Sequence, residues 1–183
     1  MIRSKENVLL VDCDFRKPAQ YKIFKSRCPK NCDFCISVSQ KHVVKAVKLD
    51  QVSGLSVVFG KKPIGSQLDK DSFAYLEKIV KSMRKQHDYV ILDTSPMAFV
   101  ADTEEYASLT DASLLVIRQD VMETCYINDA IDTLENTGTK LIGCVFNGVR
   151  RGLMEKTGAY ANYGASSYSK YSHYNKSGSK AGN

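Results

Sequence analysis

At 183 residues, with 43% apolar and 25% charged side chains, the chain has room for one domain with a hydrophobic core and an ordinary globular composition. Its formal charge of +6 is unevenly placed: from Arg150 onward there are six Lys/Arg and one acidic residue, leaving +1 for everything before. A nearly neutral body excludes a nucleic-acid surface spread over the fold and leaves the basic segment to face acidic headgroups, phosphates or a partner's acidic pocket. No run approaches the roughly 20 apolar residues that span a bilayer, and no charged-then-apolar signal pattern opens the chain, so the sequence reads as soluble and cytoplasmic.

In chain order, short runs rich in Val, Ile and Leu recur at Val8 to Val11, Leu55 to Phe59, Tyr89 to Leu92, Leu114 to Ile117 and Leu141 to Phe146. Such runs predict strands buried on both faces. After Asp71 the residues Phe73, Leu76, Ile79, Val80 and Met83 share one helical stripe. After Met122 the same holds for Ile127, Ala130, Ile131 and Leu134, with Gly138 as the stop signal. Strands alternating with helices of this length predict a three-layer α/β domain with a mainly parallel sheet, whose ligands bind at the carboxyl ends of the strands. From Gly152 the composition turns to Gly, Ser, Tyr, Lys and Asn, too poor in aliphatic residues to offset the entropy of ordering. The expected organisation is a domain over residues 1–151 and a flexible tail over 152–183.

The first predicted strand runs into Asp12-Cys-Asp14-Phe-Arg16-Lys17-Pro18, and the third into Asp93-Thr-Ser-Pro96. Three acidic residues at strand ends on one edge of a sheet suit a hard cation such as Mg²⁺ held mostly through waters. Taken singly, each Asp would equally suit a helix cap or a turn.

The Asp-x-Asp-x-Arg-Lys-Pro run resembles the second, variant Walker motif of the bacterial tyrosine kinases that control capsule and exopolysaccharide synthesis, and Asp93-Thr-Ser-Pro resembles their Walker B. Gly54 to Val58 with Gly60-Lys-Lys-Pro63, the Tyr89 strand and Gly143-Cys-Val-Phe-Asn-Gly-Val149 follow in the family's order, so the resemblance covers most of residues 7–150. It implies a P-loop NTPase-like fold and an ATP- and Mg²⁺-dependent autokinase in which Asp12 is the catalytic base. Asp14 and Asp93 would hold Mg²⁺ through water, Arg16 and Lys17 would steer phosphate, and Asn147 would contact the purine edge. It also implies a membrane adaptor, such as a polysaccharide co-polymerase protein, as partner, homo-oligomer formation, no nucleic acid, and a place at the inner face of the plasma membrane. Division-positioning and plasmid-partition ATPases share the Asp-x-Asp and Walker B elements but not a tyrosine cluster.

Five of the ten tyrosines, Tyr160, Tyr163, Tyr168, Tyr171 and Tyr174, lie in the last 24 residues among Gly, Ser, Ala, Asn and Lys. Aromatics without aliphatic neighbours are exposed phenols on a tether, which by themselves equally suit a sticky low-complexity tail or a stacking surface for single-stranded nucleic acid; the resemblance makes them autophosphorylation sites.

Two features depart from the family pattern. The chain has no Gly-x-x-x-x-Gly-Lys-Ser/Thr loop, since only Met1 to Glu6 precede the Asp-x-Asp strand and Gly60-Lys-Lys-Pro-Ile-Gly-Ser has the wrong spacing. The expectation is a fragment or mis-started form of a longer protein, or a non-catalytic relative, with weak or absent ATP binding. The second departure is Cys28-x3-Cys32-x2-Cys35. It is open to three readings: ordinary thiols in a variable loop, a zinc site with His42 as fourth ligand, or an iron-sulfur cluster.

Overall fold

The computed structural model describes residues 6–24, 33–49, 52–63, 68–97 and 102–149. The chain divides into two units, Met1–Gly148 and Val149–Asn183, and all described elements lie in the first. The tyrosine cluster, Cys28 and Cys32 fall outside the described residues.

Among the described residues there are six strands and five helices, in the order β1-α1-α2-β2-β3-α3-β4-α4-β5-α5-β6. Strand β1 (Val8–Asp12) is central, pairing in parallel with β3 (Leu55–Val58) on one side and β4 (Tyr89–Asp93) on the other. The two-residue β2 (Val47–Lys48) adds antiparallel to β3, giving the order β2-β3-β1-β4. Strands β5 (Ala112–Arg118) and β6 (Lys140–Asn147) form a second, parallel two-stranded sheet. Between the parallel strands run α3 (Lys70–Arg84), α4 (Asp102–Ala107) and α5 (Thr124–Asn136), so the expected α/β architecture with a mainly parallel sheet is observed.

Strand periodicity explains why β1 is central. Successive side chains point to opposite faces. Leu9 and Val11 enter one apolar cluster with Phe15, Phe34, Val38, Val58, Leu76 and Val80, while Leu10 packs on a second built from Leu49, Val57 and Phe59. Fully burying a side chain such as Leu9 contributes about 1.5–3 kcal/mol. Helix α3 is fixed at its start by Asp69, whose carboxylate accepts the Ser72 N–H at 2.7 Å, and its predicted stripe lies against the first cluster. Gly54 adopts φ +81° just before β3, where a Cβ would run into the Glu6 carbonyl oxygen. Glycine is therefore required there.

Two expectations need correction. Strands β4, β5 and β6 are not buried on both faces: in β4 Tyr89 is 55% and Ile91 49% exposed, in β5 Leu114 is 53% and Val116 60% exposed, and Val145 and Phe146 of β6 are exposed as well. Leu114 and Val116 pair with Gly143 and Val145, so one face of the second sheet is left open; helix α5 contacts the sheet without covering it. Four short elements were also unforeseen: α1 (Gln20–Ile23), α2 (Phe34–Ser39), β2 and α4. Each is too short to establish a periodicity.

Candidate active site at the carboxyl ends of β1 and β4

Asp12 and Asp93 are register partners at the ends of adjacent parallel strands. That spacing brings their backbones within about 4.8 Å. The Cys13 N–H donates to the Asp93 carbonyl at 2.7 Å, carrying the ladder to its last rung. Asp12 is fully buried. Its Oδ2 accepts the N–H groups of Ala19 and Gln20, both at 3.0 Å, while its buried Oδ1 has no hydrogen-bond partner. Burial is the main force raising the Asp12 carboxyl from 3.8 to about 7, and the Asp93 charge adds to it; the amides of Gln20, Asp14 and Ala19 oppose the rise.

Asp14 faces the same edge from the loop that follows. Its Oδ1 accepts the Ser95 hydroxyl at 2.6 Å and the backbone N–H groups of Lys17 at 2.9 Å and Arg16 at 3.2 Å. The first of these bonds ties the β1 exit to the β4 exit. Ser95 is itself held, because its carbonyl accepts the Thr103 hydroxyl of α4 at 3.0 Å. Phe15 anchors the loop from below, with ring centroids 5.4 Å from Phe34 and 6.0 Å from Tyr106. The β3 exit presses in at Gly60, where a Cβ would lie 2.8 Å from Pro18 Cβ and 3.0 Å from Cys35 Sγ. Only glycine lets the two loops approach this closely.

Asp12, Asp14 and Asp93 are thus brought to one edge, while the other candidates divide. Arg16 is exposed and Lys17 partly buried on the same loop. Asn147 closes β6 in the second sheet, paired with Arg118; its side-chain oxygen accepts the N–H of Gly148, which has φ +67°. That is turn geometry. Cys35 lies in the first apolar cluster, and burial, with the charges of Asp33 and Asp12, pushes its thiol up to about 12. His42 is exposed, and its carbonyl accepts the Tyr75 hydroxyl. Sequence reasoning passed over Gln20, whose side-chain amide donates to Asp93 Oδ2 at 2.5 Å, and Ser95. Ser95 sat inside the Asp-Thr-Ser-Pro motif and was open to detection; Gln20 carried no mark beyond its place shortly after Pro18.

The donor set fits a divalent cation: the oxygens are hard, and Asp12 Oδ1 is a buried acceptor with no partner. Among the described residues no three His, Cys, Asp or Glu side chains converge closely enough to cage a metal directly. Carboxylates acting through intervening water suit that arrangement, as Mg²⁺ usually keeps several waters.

No protein-family model matches the chain. It is 32% identical over 91 residues to the tyrosine-protein kinase CpsD of Streptococcus agalactiae, a match covering 50% of this chain and 39% of that protein. With the tyrosine-protein kinase YwqD of Bacillus subtilis it shares 25% identity over 159 residues, 87% of this chain and 65% of the relative. Among solved structures, the kinase domain of the Escherichia coli tyrosine kinase ETK superposes with a TM-score of 0.64 at 21% identity, over 87% of this chain and 61% of that one. A plasmid partition protein from Borrelia burgdorferi shares the fold at a TM-score of 0.57 and 12% identity, over 81% of this chain and 71% of that one. The chain spans about two fifths of the length of the streptococcal kinase. It is a relative of the bacterial tyrosine-protein kinases, matching them in fold and in sequence over part of their length.

Proposed function

We propose that this chain carries the carboxylate end of an ATP-dependent protein-tyrosine kinase of capsular or exopolysaccharide synthesis, and that Tyr160, Tyr163, Tyr168, Tyr171 and Tyr174 are its phosphate acceptors. The observation that carries this reading is the strand-end pair Asp12 and Asp93, with one buried Asp12 oxygen left unpartnered. A phenol of pKa near 10 needs a base at neutral pH, and a carboxylate raised to about 7 is well matched to that task. Asp12 is buried, so a phenol reaches it only when the loop between β1 and α1 moves aside. Asp14 and Asp93 would hold Mg²⁺ through water, which when bound neutralises charge on the phosphates. Arg16 stands on the same loop as a phosphate contact, and Asn147 is assigned to the purine edge.

The basic charge of residues 150–183 supports a place near an anionic surface such as the inner face of the plasma membrane; the membrane adaptor and the homo-oligomer are carried over from the kinase resemblance alone. Among the described residues no helix is long and apolar enough to cross a membrane.

The 183 residues include no Gly-x-x-x-x-Gly-Lys-Ser/Thr element, so this chain is assigned the carboxylates and the acceptors but not phosphate capture. With Mg-ATP alone, mass spectrometry is expected to find no phosphotyrosine. With an active bacterial tyrosine kinase added, it is expected on Tyr160 to Tyr174. An unmodified cluster in both reactions would refute the acceptor assignment. Likeness to a partition protein favours a second reading, a partition-type ATPase, which would give DNA association or ATP hydrolysis with no phosphotyrosine at all.

A further inference from the structure

Gln20 opens α1 and touches both members of the strand-end pair. Its backbone N–H donates to Asp12 Oδ2 at 3.0 Å, and its side-chain nitrogen donates to Asp93 Oδ2 at 2.5 Å across 73 residues of sequence. An ionised carboxylate only accepts, so the amide must present its nitrogen, and a bond to a charged acceptor is stronger than one between neutral groups. The two bonds fix one oxygen of each carboxylate and thereby aim the other. On Asp12 the aimed oxygen is the buried Oδ1 that nothing else engages.

A packing role does not account for the side chain. Helix α1 has no buried residue, and Gln20 belongs to neither apolar cluster. Helix α1 is seated on the second cluster by Tyr21, with Phe24 just after it, while Gln20 at its start is turned to Asp12 and Asp93.

We propose that Gln20 is a positioning residue that holds the Asp93 carboxylate against Asp12 in the geometry in which the edge takes up a divalent cation, an inference that rests on the carboxylate assignment above. Groups that hydrogen-bond a direct metal ligand are typically worth roughly 10- to 100-fold in metal affinity, and Gln20, which holds a carboxylate that reaches the cation through water, should fall at or below the low end of that range.

The test uses Mn²⁺ alone as the probe, with free Mn²⁺ read by electron paramagnetic resonance against the 183-residue chain. Gln20→Met keeps the length of the side chain and the backbone N–H but removes the donor. It should weaken Mn²⁺ binding roughly 3- to 10-fold, while far-UV circular dichroism shows the variant still folded. Gln20→His offers a ring N–H at similar reach and should recover most of the affinity. A Gln20→Met chain that binds Mn²⁺ as well as or better than the parent overturns the proposal. A second readout separates the contact from the metal reading: in nitrogen-proton spectra the Gln20 side-chain amide should be shifted and protected from exchange, and should lose both properties in Asp93→Ala. An unprotected amide in the parent removes the Gln20 contact itself. A protected amide in a parent that binds no Mn²⁺ instead overturns the metal assignment of the carboxylates, and the proposal with it.

Discussion

The two sheets take similar apolar sequences to different ends. In the first, β1 reads Val-Leu-Leu-Val-Asp and has clusters on both faces, so Leu9 and Val11 are wholly buried. In the second, β5 reads Ala-Ser-Leu-Leu-Val-Ile-Arg, yet Leu114 and Val116 stand more than half exposed. A continuous apolar run therefore reports what a strand is able to bury, while the elements laid over it decide what is buried. The candidate site lies at the exit of β1, the strand covered on both faces, where a carboxylate can be desolvated. Between the two regions, Nη2 of Arg84 in α3 donates to both carboxylate oxygens of Asp111, just before β5, at 2.6 and 2.8 Å, an exposed contact of small worth.

The largest effect expected from this contrast is around β1. Phe34→Ala removes a buried ring that packs on Phe15, and should cost about 3–5 kcal/mol in denaturant unfolding, because the cavity cannot collapse between two anchored loops. A loss under 1 kcal/mol would mean that the first cluster is loosely packed.

Asp12→Asn should act next, and in the stabilising direction. The native carboxyl titrates near 7, above its ordinary value of 3.8, so the folded chain keeps a proton that the unfolded chain has released. The stability associated with Asp12 is thus fully present below about pH 4 and is lost as pH rises through 7. Asparagine removes that loss. The variant should match its parent at pH 3.5 and exceed it by up to about 4 kcal/mol at pH 8. Equal stabilities across the range would show that Asp12 is not desolvated.

Helix starts offer a smaller comparison. Asp69 caps α3 through the Ser72 N–H, whereas Glu123 at the start of α5 makes no side-chain cap bond. Asp69→Ala should cost about 1 kcal/mol, and Glu123→Ser should gain up to about that much, both by thermal unfolding. The smallest effect belongs to the open sheet: Val116→Thr should change stability by less than about 0.5 kcal/mol, and a larger loss would reveal that this face is covered in solution.

Much of the scaffold was legible in the sequence because β1 and β3 to β6 each carry a short apolar run and α3 and α5 an apolar stripe at helical spacing. The residues that end each of these strands fell within one or two positions of expectation, whereas the cap at Asp69 was not foreseen. Cover was not legible: nothing in the β5 run distinguishes it from β1. In the site, Asp12, Asp14 and Asp93 could be read from their place at strand ends, since topology sends those ends to one edge. Their partners could not. Ser95 meets Asp14 across 81 residues and Gln20 meets Asp93 across 73, and contacts at that separation arise only once β1 and β4 lie side by side. Asn147 shows the converse, a residue singled out by motif whose side-chain oxygen completes a turn at Gly148.

The most direct test of the carboxylate pair is a carbon-detected titration of the Asp12 carboxyl, with and without saturating Mg²⁺. A midpoint near 7 that falls when Mg²⁺ is added is the expected result, because burial beside Asp93 disfavours the charge and a nearby cation restores it. A midpoint near the ordinary carboxylate value of 3.8, unmoved by Mg²⁺, would contradict it.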